Sequence, residues 1–158
     1  GTRVSLYLPA FEGTVPVQEA PSSVKLRHAR PLKILMAEDD MLVSSVVVVA
    51  LESAGHHVTL CRSAEDAVAA LTSEQGFDVL FTDVVMTGQM TGLDLVGWCR
   101  IHRPTLPAVV ATGYSAQETT LNVTTLRKPY GVEALLEALQ RAFEEAHPPG
   151  TEEARDVP

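Results

Sequence analysis

The chain has 158 residues and 46% of them are hydrophobic, which is enough for one folded domain with a real core plus flanking tails. Its formal net charge of −8 argues against nucleic-acid binding, which needs a basic surface. No apolar run is long enough to span a membrane and no signal peptide is visible, so we expect a cytoplasmic segment without membrane contact.

Composition divides the chain into four parts. Residues 1–9 hold a short alternating apolar run, and residues 10–31 carry prolines without sustained periodicity, which predicts a linker. Residues 32–146 alternate between strand-like and helix-like segments. Residues 147–158 are rich in proline and acidic side chains, which predicts a disordered tail.

The first half of the alternating region begins with a predicted strand at 32–37. Asp40 is a plausible N-cap for a helix from Met41 to Ala54, and Gly55 is a natural stop. The valine-rich stretch inside this helix favours a strand by propensity, but the cap, the stop and the length favour a helix. A short strand at 57–61 follows.

The middle of the region predicts a second helix, a strand, a third helix and another strand. Ser63 caps the helix at Ala64–Ser73, with acidic residues near its positive end. The next strand is 78–82, and it holds a continuous apolar run. A loop bounded by glycines leads to the helix at Leu93–Arg103, and the strand at 107–111 follows.

The last strand is predicted at about 123–127, and Gly131 opens the final helix. Only 11 residues separate Ala111 from Val123, whereas a parallel crossover needs about a dozen or more. The fourth helix is therefore expected to be one or two turns, at Ala116–Thr120, or to be missing. The pattern predicts a flavodoxin-like α/β fold, a doubly wound five-stranded parallel sheet of order 2-1-3-4-5.

Chemically useful side chains follow four of the predicted strands. Glu38 and Asp39 follow the first strand, Asp83 the third, Thr112 the fourth and Lys128 the fifth. Ligands of open parallel sheets bind at the carboxyl ends of the strands. This set suits a hard cation, a negatively charged group held beside it, and a nucleophilic carboxylate.

The segments that carry these residues resemble response-regulator receiver domains of two-component signalling. The matching segments are Ile34–Asp40, Thr82–Met86, Met90–Leu95, Ala111–Tyr114 and Leu126–Tyr130. The resemblance implies that 32–146 is a receiver domain in which Asp83 is the phosphoacceptor. The implied donor is a phosphohistidine on a histidine kinase or on a histidine phosphotransfer domain.

The resemblance also implies a Mg²⁺ ion as the cofactor. Its ligands would be Glu38, Asp39, Asp83 and the backbone carbonyl of Val85. Mg²⁺ prefers six oxygens and keeps several waters, so a small number of protein ligands is reasonable. Asp40 is read as a helix cap rather than a metal ligand.

Two further residues gain roles from the resemblance. Lys128 would bind a phosphoryl oxygen as a point charge, and the bond from Lys128 to Pro129 would be cis. The hydroxyl of Thr112 would hydrogen-bond the phosphoryl group after transfer. By itself, a strand-end threonine can also serve only to cap a turn, and we weigh this as the lesser alternative for Thr112.

A second resemblance covers residues 1–9, which are similar to the last strand of a histidine-kinase ATPase domain. With a linker and a receiver following, this order matches the C-terminus of a hybrid sensor histidine kinase. The fragment has no kinase active site of its own, and we expect the parent protein to be a kinase, either cytoplasmic or anchored in a membrane.

Four positions bear on how this chain differs from common receiver patterns. Thr87 stands where proline is common, which predicts a looser loop, and Thr125 stands where many receivers have an aromatic switch residue. Together with the short fourth crossover, Thr125 predicts output by phosphoryl relay or by autoregulation of an attached kinase. Val85 and Tyr114 flank the path of hydrolytic water in the family and are bulky here, which predicts slow loss of the phosphoryl group.

Two other functions compete with phosphoacceptance. A receiver-like module used only for docking is the main alternative, and the altered fourth crossover favours it. A flavin-binding flavodoxin-like protein would need a phosphate-cradling loop after the first strand. Glu38, Asp39 and Asp40 would repel that phosphate, so we discount this reading.

Overall fold

The computed structural model describes residues 3, 5, 30–74, 76–113 and 123–148. The strands within these ranges are β1 (Lys33–Ala37), β2 (His57–Cys61), β3 (Val79–Asp83), β4 (Ala108–Thr112) and β5 (Thr124–Arg127). The helices are α1 (Met41–Ser53), α2 (Ala64–Ser73), α3 (Gly92–His102) and α4 (Val132–Ala146). None of these helices combines the length and apolar character needed to cross a membrane.

The strands form one parallel sheet of order β2-β1-β3-β4-β5, which confirms the predicted flavodoxin-like topology. β3 is therefore the central strand. The predicted short helix at Ala116–Thr120 falls in 114–122, outside the described residues, and remains a prediction. Most of residues 1–29, and the tail from residue 149 onward, also lie outside them.

Alternation along the buried strands produces two apolar layers. On β1, Ile34 and Met36 belong to the cluster that packs against α1 and α4. Leu35 and Ala37 belong to the opposite cluster, which packs against α2 and α3. Because successive strand residues face opposite sides, one short apolar run supplies both layers.

Cys61 and Cys99 are free thiols inside the α2–α3 layer. Burial raises the pKa of Cys99 to about 11, with Arg103 opposing the shift. A buried thiol with this pKa is almost entirely protonated at neutral pH and acts as a small apolar side chain.

The helix starts follow the predicted capping chemistry. Asp40 Oδ1 accepts hydrogen bonds from the backbone N–H groups of Leu42 and Val43, which confirms that Asp40 is a cap. The helix that begins at Gly92 starts one residue earlier than predicted. Thr91 and Asp94 form a reciprocal capping box there, so the exposed Asp94 serves as a cap partner.

Two strand ends are shifted by one residue from their predicted positions. β3 ends at Asp83 rather than at residue 82, and β4 ends at Thr112 rather than at residue 111. Asp83 pairs in register with Ala111, and Thr112 pairs with Arg127. The two polar residues are thus fixed by the sheet ladder itself, which limits how far their backbones can move.

Candidate functional site

The carboxyl edge of the sheet brings Asp83 and Lys128 into direct contact. Lys128 Nζ donates to Asp83 Oδ2 at 2.5 Å, and the two side chains are 31% and 14% exposed. The peptide bond from Lys128 to Pro129 is cis, as predicted. A half-buried ion pair at this edge places a fixed positive charge beside a carboxylate that water can still reach.

Thr112 lies at the same edge of the sheet. Its residue is only 5% exposed, and its backbone carbonyl accepts a hydrogen bond of 2.7 Å from the backbone N–H of Lys128. Lys128 is therefore tied by its backbone to β4 and by its side chain to β3. These two bonds link Thr112, Lys128 and Asp83 at the edge of the sheet where the strand-end pattern predicted them.

Glu38 is almost fully buried, at 2% exposed. Its Oε1 accepts a hydrogen bond of 3.2 Å from the backbone N–H of Asp40, whereas Oε2 has no hydrogen-bond partner within the described part of the chain. Burial raises the pKa of Glu38, with Asp83 and Asp39 adding to the shift and Lys128 opposing it. A buried carboxylate oxygen without a partner is costly unless a proton, a water or a cation satisfies it.

Asp39 is turned toward the loop that follows β3. Its Oδ2 accepts a hydrogen bond of 2.9 Å from the backbone N–H of Thr87, and this bond lowers the pKa of the carboxyl group. Among the described residues, no three acidic, histidine or cysteine side chains lie close enough together to hold a metal ion between them. The predicted acidic set is therefore present at one edge but is not gathered around a single point.

The loop after β3 carries contacts that the sequence did not predict. Glu65, in the first turn of α2, accepts hydrogen bonds from the backbone N–H groups of Gln89 and Met90 at 2.8 and 3.1 Å. Gly88, at φ 135°, lies so close to Glu65 that an added Cβ would fall 2.9 Å from its Oε2. The sequence signal at Glu65 was only that of an acid near a helix start.

Gly92 closes the same loop. A Cβ on Gly92 would lie 1.8 Å from the backbone oxygen of Asp83, so this position has no room for any side chain. The N–H of Gly92 also donates to the carbonyl of Val84 at 3.0 Å. The loop thus folds back against the end of β3, and the glycine was predicted only as a loop boundary.

Tyr130 is a further residue near the site that sequence reasoning did not select. Its ring packs edge-on against Phe81 with 6.1 Å between centroids, and its hydroxyl is buried without a hydrogen-bond partner among the described residues. Burial raises the pKa of Tyr130 to about 12, and the charges of Glu38 and Asp83 contribute. Tyr130, the residue after Pro129, therefore contributes to the apolar packing next to the acidic edge of the sheet.

Val85 lies in the open part of the loop. Its side chain is 76% exposed, whereas the neighbouring Met86 is 9% exposed and packs in the core. Met86 is thus a packing residue. The side chain of Val85, two residues after Asp83, is apolar and offers no hydrogen-bond donor or acceptor.

Comparison with known proteins identifies one family. The family model of the response regulator receiver domain matches residues 34–140. The response regulator receiver protein CpdR of Brucella abortus is 31% identical over 115 residues, which cover 69% of this chain and 94% of CpdR. The response regulator protein FleR of Pseudomonas aeruginosa is 32% identical, over 69% of this chain and 24% of FleR.

Longer relatives and solved structures agree with this match. The DNA-binding transcriptional regulator NtrC of Azospirillum brasilense is 30% identical, and the match covers 73% of this chain but only 25% of NtrC. The chemotaxis protein CheY4 of Vibrio cholerae superposes with a TM-score of 0.63 at 26% identity, covering 71% of this chain and 98% of CheY4. A receiver protein from Sinorhizobium medicae superposes with a TM-score of 0.68 at 24% identity, over 74% of this chain and 98% of that one.

Proposed function

The chain belongs to the response regulator receiver domain family, and on that premise we propose that Asp83 accepts a phosphoryl group from a phosphohistidine. The observation that carries the proposal is the 2.5 Å ion pair between Asp83 and Lys128 at the end of the central strand. It combines an accessible carboxylate nucleophile with a cation placed to receive negative charge.

The proposed step is an in-line transfer. A carboxylate oxygen of Asp83 forms a bond to phosphorus while the phosphorus–nitrogen bond of the donor breaks, and the electron pair stays on the imidazole nitrogen. Lys128 offsets the charge of the phosphoryl oxygens, and the hydroxyl of Thr112 donates a hydrogen bond to one of them. The chain contributes positioning and charge neutralisation, which are the main terms in phosphoryl transfer.

Mg²⁺ fits the donor chemistry of this edge. Glu38 offers a buried carboxylate oxygen without a hydrogen-bond partner among the described residues, and burial raises its pKa although the charge of Lys128 opposes the shift. Glu38, Asp39, Asp83 and the carbonyl of Val85 would hold the ion, which keeps waters for its remaining positions. When bound, the ion supplies positive charge that offsets the repulsion between three carboxylates and the incoming phosphoryl group.

The proposed donor is a histidine kinase or a histidine phosphotransfer domain. Helix α1 begins directly after the acidic pair and exposes an apolar stripe of Leu42, Val46 and Val49, at 81%, 66% and 64% exposed. These residues recur at i, i+4 and i+7, so they share one face of the helix. An apolar stripe beside the carboxyl edge of the sheet is suited to docking the helix that carries the phosphohistidine.

The proposal also concerns the kind of protein in which this receiver domain works and its output. The similarity of residues 1–9 to a kinase ATPase strand supports a place at the C-terminus of a hybrid sensor histidine kinase, although only Arg3 and Ser5 of that segment are described. NtrC is named as DNA-binding, but the matched region is a quarter of NtrC and this chain carries a net charge of −8. We therefore propose relay or kinase autoregulation as the output, without nucleic-acid contact.

Intact-mass measurement tests the phosphoacceptor. The protein is incubated with acetyl phosphate and MgCl₂, and we expect the mass of one phosphoryl group to be added and then removed by hydroxylamine. Asp83→Asn should remain unlabelled, while Asp66→Asn, which changes an exposed carboxylate on α2, should label like the wild type. An unlabelled wild type would favour the docking-module function, and label that persists in Asp83→Asn would place the acceptor elsewhere.

Analytical ultracentrifugation tests the output. The protein is compared with and without beryllofluoride and MgCl₂, and relay or autoregulation predicts no change in association state. A large dimerisation on beryllofluoride addition would contradict this part of the proposal, and it would leave the phosphoacceptor role of Asp83 intact.

A further inference from the structure

The loop between β3 and α3 is held by two carboxylates that come from other elements. Asp39, after β1, accepts the backbone N–H of Thr87 at 2.9 Å. Glu65, on α2, accepts the backbone N–H groups of Gln89 and Met90 at 2.8 and 3.1 Å. The loop is thus fastened at two points that lie on either side of Gly88.

The two carboxylates differ in what else they can bind. Glu65 has no part in the proposed metal site, so its two loop contacts can persist in every state of the protein. Asp39 is one of the proposed ligands, yet in this structure its Oδ2 is bonded to the N–H of Thr87. Among the described residues, no three acidic, histidine or cysteine side chains are grouped closely enough to hold an ion.

Resting on the proposed function, we propose that the backbone N–H of Thr87 competes with Mg²⁺ for Asp39. Metal binding would then release the loop at Thr87 while Glu65 keeps its hold on Gln89 and Met90. Thr87 is in this sense a positioning residue, which acts on the metal through Asp39.

The identity of residue 87 makes the competition possible. Proline has no N–H and cannot donate to Asp39, so a receiver with proline at this position lacks the competing bond. The threonine was expected to loosen the loop, but the hydrogen bond to Asp39 ties the loop instead. Because of the competing bond, the apparent affinity for Mg²⁺ equals the intrinsic affinity multiplied by the fraction of molecules in which Asp39 is free of Thr87.

Calorimetric titration with MgCl₂ measures the competition directly. Thr87→Pro removes the N–H, and we expect it to bind Mg²⁺ about fivefold more tightly than the wild type, a change of about 1 kcal/mol. Thr87→Ala keeps the N–H and removes only the hydroxyl, whose effect on Asp39 is smaller than that of the N–H, so any gain should stay within about twofold of the wild type. Equal affinities in Thr87→Pro and the wild type would overturn the proposal, as would a gain in Thr87→Ala as large as that in Thr87→Pro.

Amide NMR of the unmodified protein gives a second readout that does not depend on how Thr87→Pro folds. Adding MgCl₂ should accelerate hydrogen exchange at the Thr87 amide several-fold, because its bond to Asp39 is lost. The amides of Gln89 and Met90 serve as internal controls and should keep their protection. Unchanged protection of Thr87 at saturating MgCl₂ would overturn the inference.

The same titrations separate this inference from the proposed function. Binding of Mg²⁺ to the wild type with no difference among the variants contradicts the competition and leaves the phosphoacceptor site intact. No Mg²⁺ binding in the wild type or in Thr87→Pro would contradict the metal site itself and, with it, the competition. Asp39→Asn provides the baseline for lost metal binding.

Discussion

The ammonium group of Lys128 and the carboxylate of Asp83 lie 2.5 Å apart, although Asp83 ends β3, Lys128 follows β5, and β4 lies between these two strands. The long lysine side chain reaches across the edge of that strand, while its backbone N–H is bonded to the carbonyl of Thr112. The contact therefore depends on the register of three strands, and a change at any of them would displace the charge.

Replacing Lys128 with methionine should slow phosphorylation by acetyl phosphate about a hundredfold, because a preorganised charge beside the phosphoryl group is lost. The rate of label incorporation, followed by intact mass, measures this effect. Lys33→Met is the matched control, since Lys33 lies on the exposed first position of β1 at the opposite end of the strand. A rate within about threefold of the wild type would contradict the role given to Lys128.

The strand-end residues of this site were predictable because parallel strands must gather their carboxyl ends at one edge. Short apolar runs identified β1 and β3, and the residues that follow these runs identified Glu38, Asp39 and Asp83. Topology placed Asp83 and Lys128 at the same edge of the sheet, and the structure adds the direct contact between their side chains. The one-residue shift at Asp83 does not change this result, because the residue stays at the edge.

The loop contacts were not predictable in the same way. The bond from Thr87 to Asp39 and the bonds from Gln89 and Met90 to Glu65 use backbone N–H groups, which carry no sequence signature. Periodicity describes regular elements and says nothing of how an eight-residue loop is folded. Even the role of Gly92 depends on the path of that loop, because the clash involves the backbone oxygen of Asp83.

Glu38→Gln should stabilise the metal-free protein. Burial raises the pKa of Glu38, so the folded state holds this proton more tightly than the unfolded state. The free energy of unfolding therefore falls as the pH rises from the ordinary pKa of glutamate through the raised pKa. Glutamine removes this penalty and keeps an acceptor for the N–H of Asp40. We expect the free energy of unfolding in EDTA at pH 7 to rise by about 1 kcal/mol.

Urea denaturation measures this change, and MgCl₂ provides the second half of the test. The wild type should gain stability when MgCl₂ is added, whereas Glu38→Gln should gain little, because a ligand is missing. Glu52→Gln, at an exposed position on α1, is the control and should behave like the wild type in both buffers. A less stable Glu38→Gln in EDTA would show that the buried charge is already satisfied.

The phosphoryl group on Asp83 should be lost slowly. Val85 is 76% exposed and offers no hydrogen bond to orient a water, so attack on the acyl phosphate lacks assistance from this side. Val85→Asn should hydrolyse about tenfold faster, followed as decay of the phosphorylated mass. Val49→Asn, an equally apolar and exposed position on α1, should not change the rate. A wild-type lifetime of seconds that lengthens in Val85→Asn would contradict this reasoning.

Acid should destabilise the fold through His56. Its Nδ1 accepts the backbone N–H of Leu32 at 3.1 Å, and burial lowers its pKa, with the charge of His57 as a smaller cause. As the pH falls, the unfolded state takes up the proton first. The contribution of neutral His56 to the free energy of unfolding is therefore complete above its ordinary pKa of 6.5 and is lost as the pH falls through the lowered pKa. The slope should reach at most about 1.4 kcal/mol per pH unit for one proton.

His56→Asn tests this assignment, because the asparagine amide oxygen can still accept from Leu32 and does not titrate. Unfolding by urea at pH 5 to 7 should show a smaller loss of stability in His56→Asn than in the wild type. His57→Asn, at the neighbouring exposed position, should retain most of the loss. Identical pH profiles for His56→Asn and the wild type would assign the acid sensitivity to other groups.

Two glycines of α3 offer a matched comparison of how tightly the loop is closed against Asp83. A Cβ at Gly92 would meet the backbone oxygen of Asp83 at 1.8 Å, whereas a Cβ at Gly97 would meet nothing within 4 Å. Gly92→Ala should lower the free energy of unfolding by about 1–3 kcal/mol, because backbone must shift. Gly97→Ala should raise it by about 0.5–1 kcal/mol, because alanine favours the helix.

Chemistry separates the local effect at Gly92 from a general loss of stability. Because the displaced atom belongs to Asp83, Gly92→Ala should also slow phosphorylation under conditions where the protein remains folded, and Gly97→Ala should not. Acetyl phosphate labelling at low temperature, with folding checked by circular dichroism, measures both variants. If folded Gly92→Ala labels at the wild-type rate, the loop closure stabilises the fold but does not position the carboxylate.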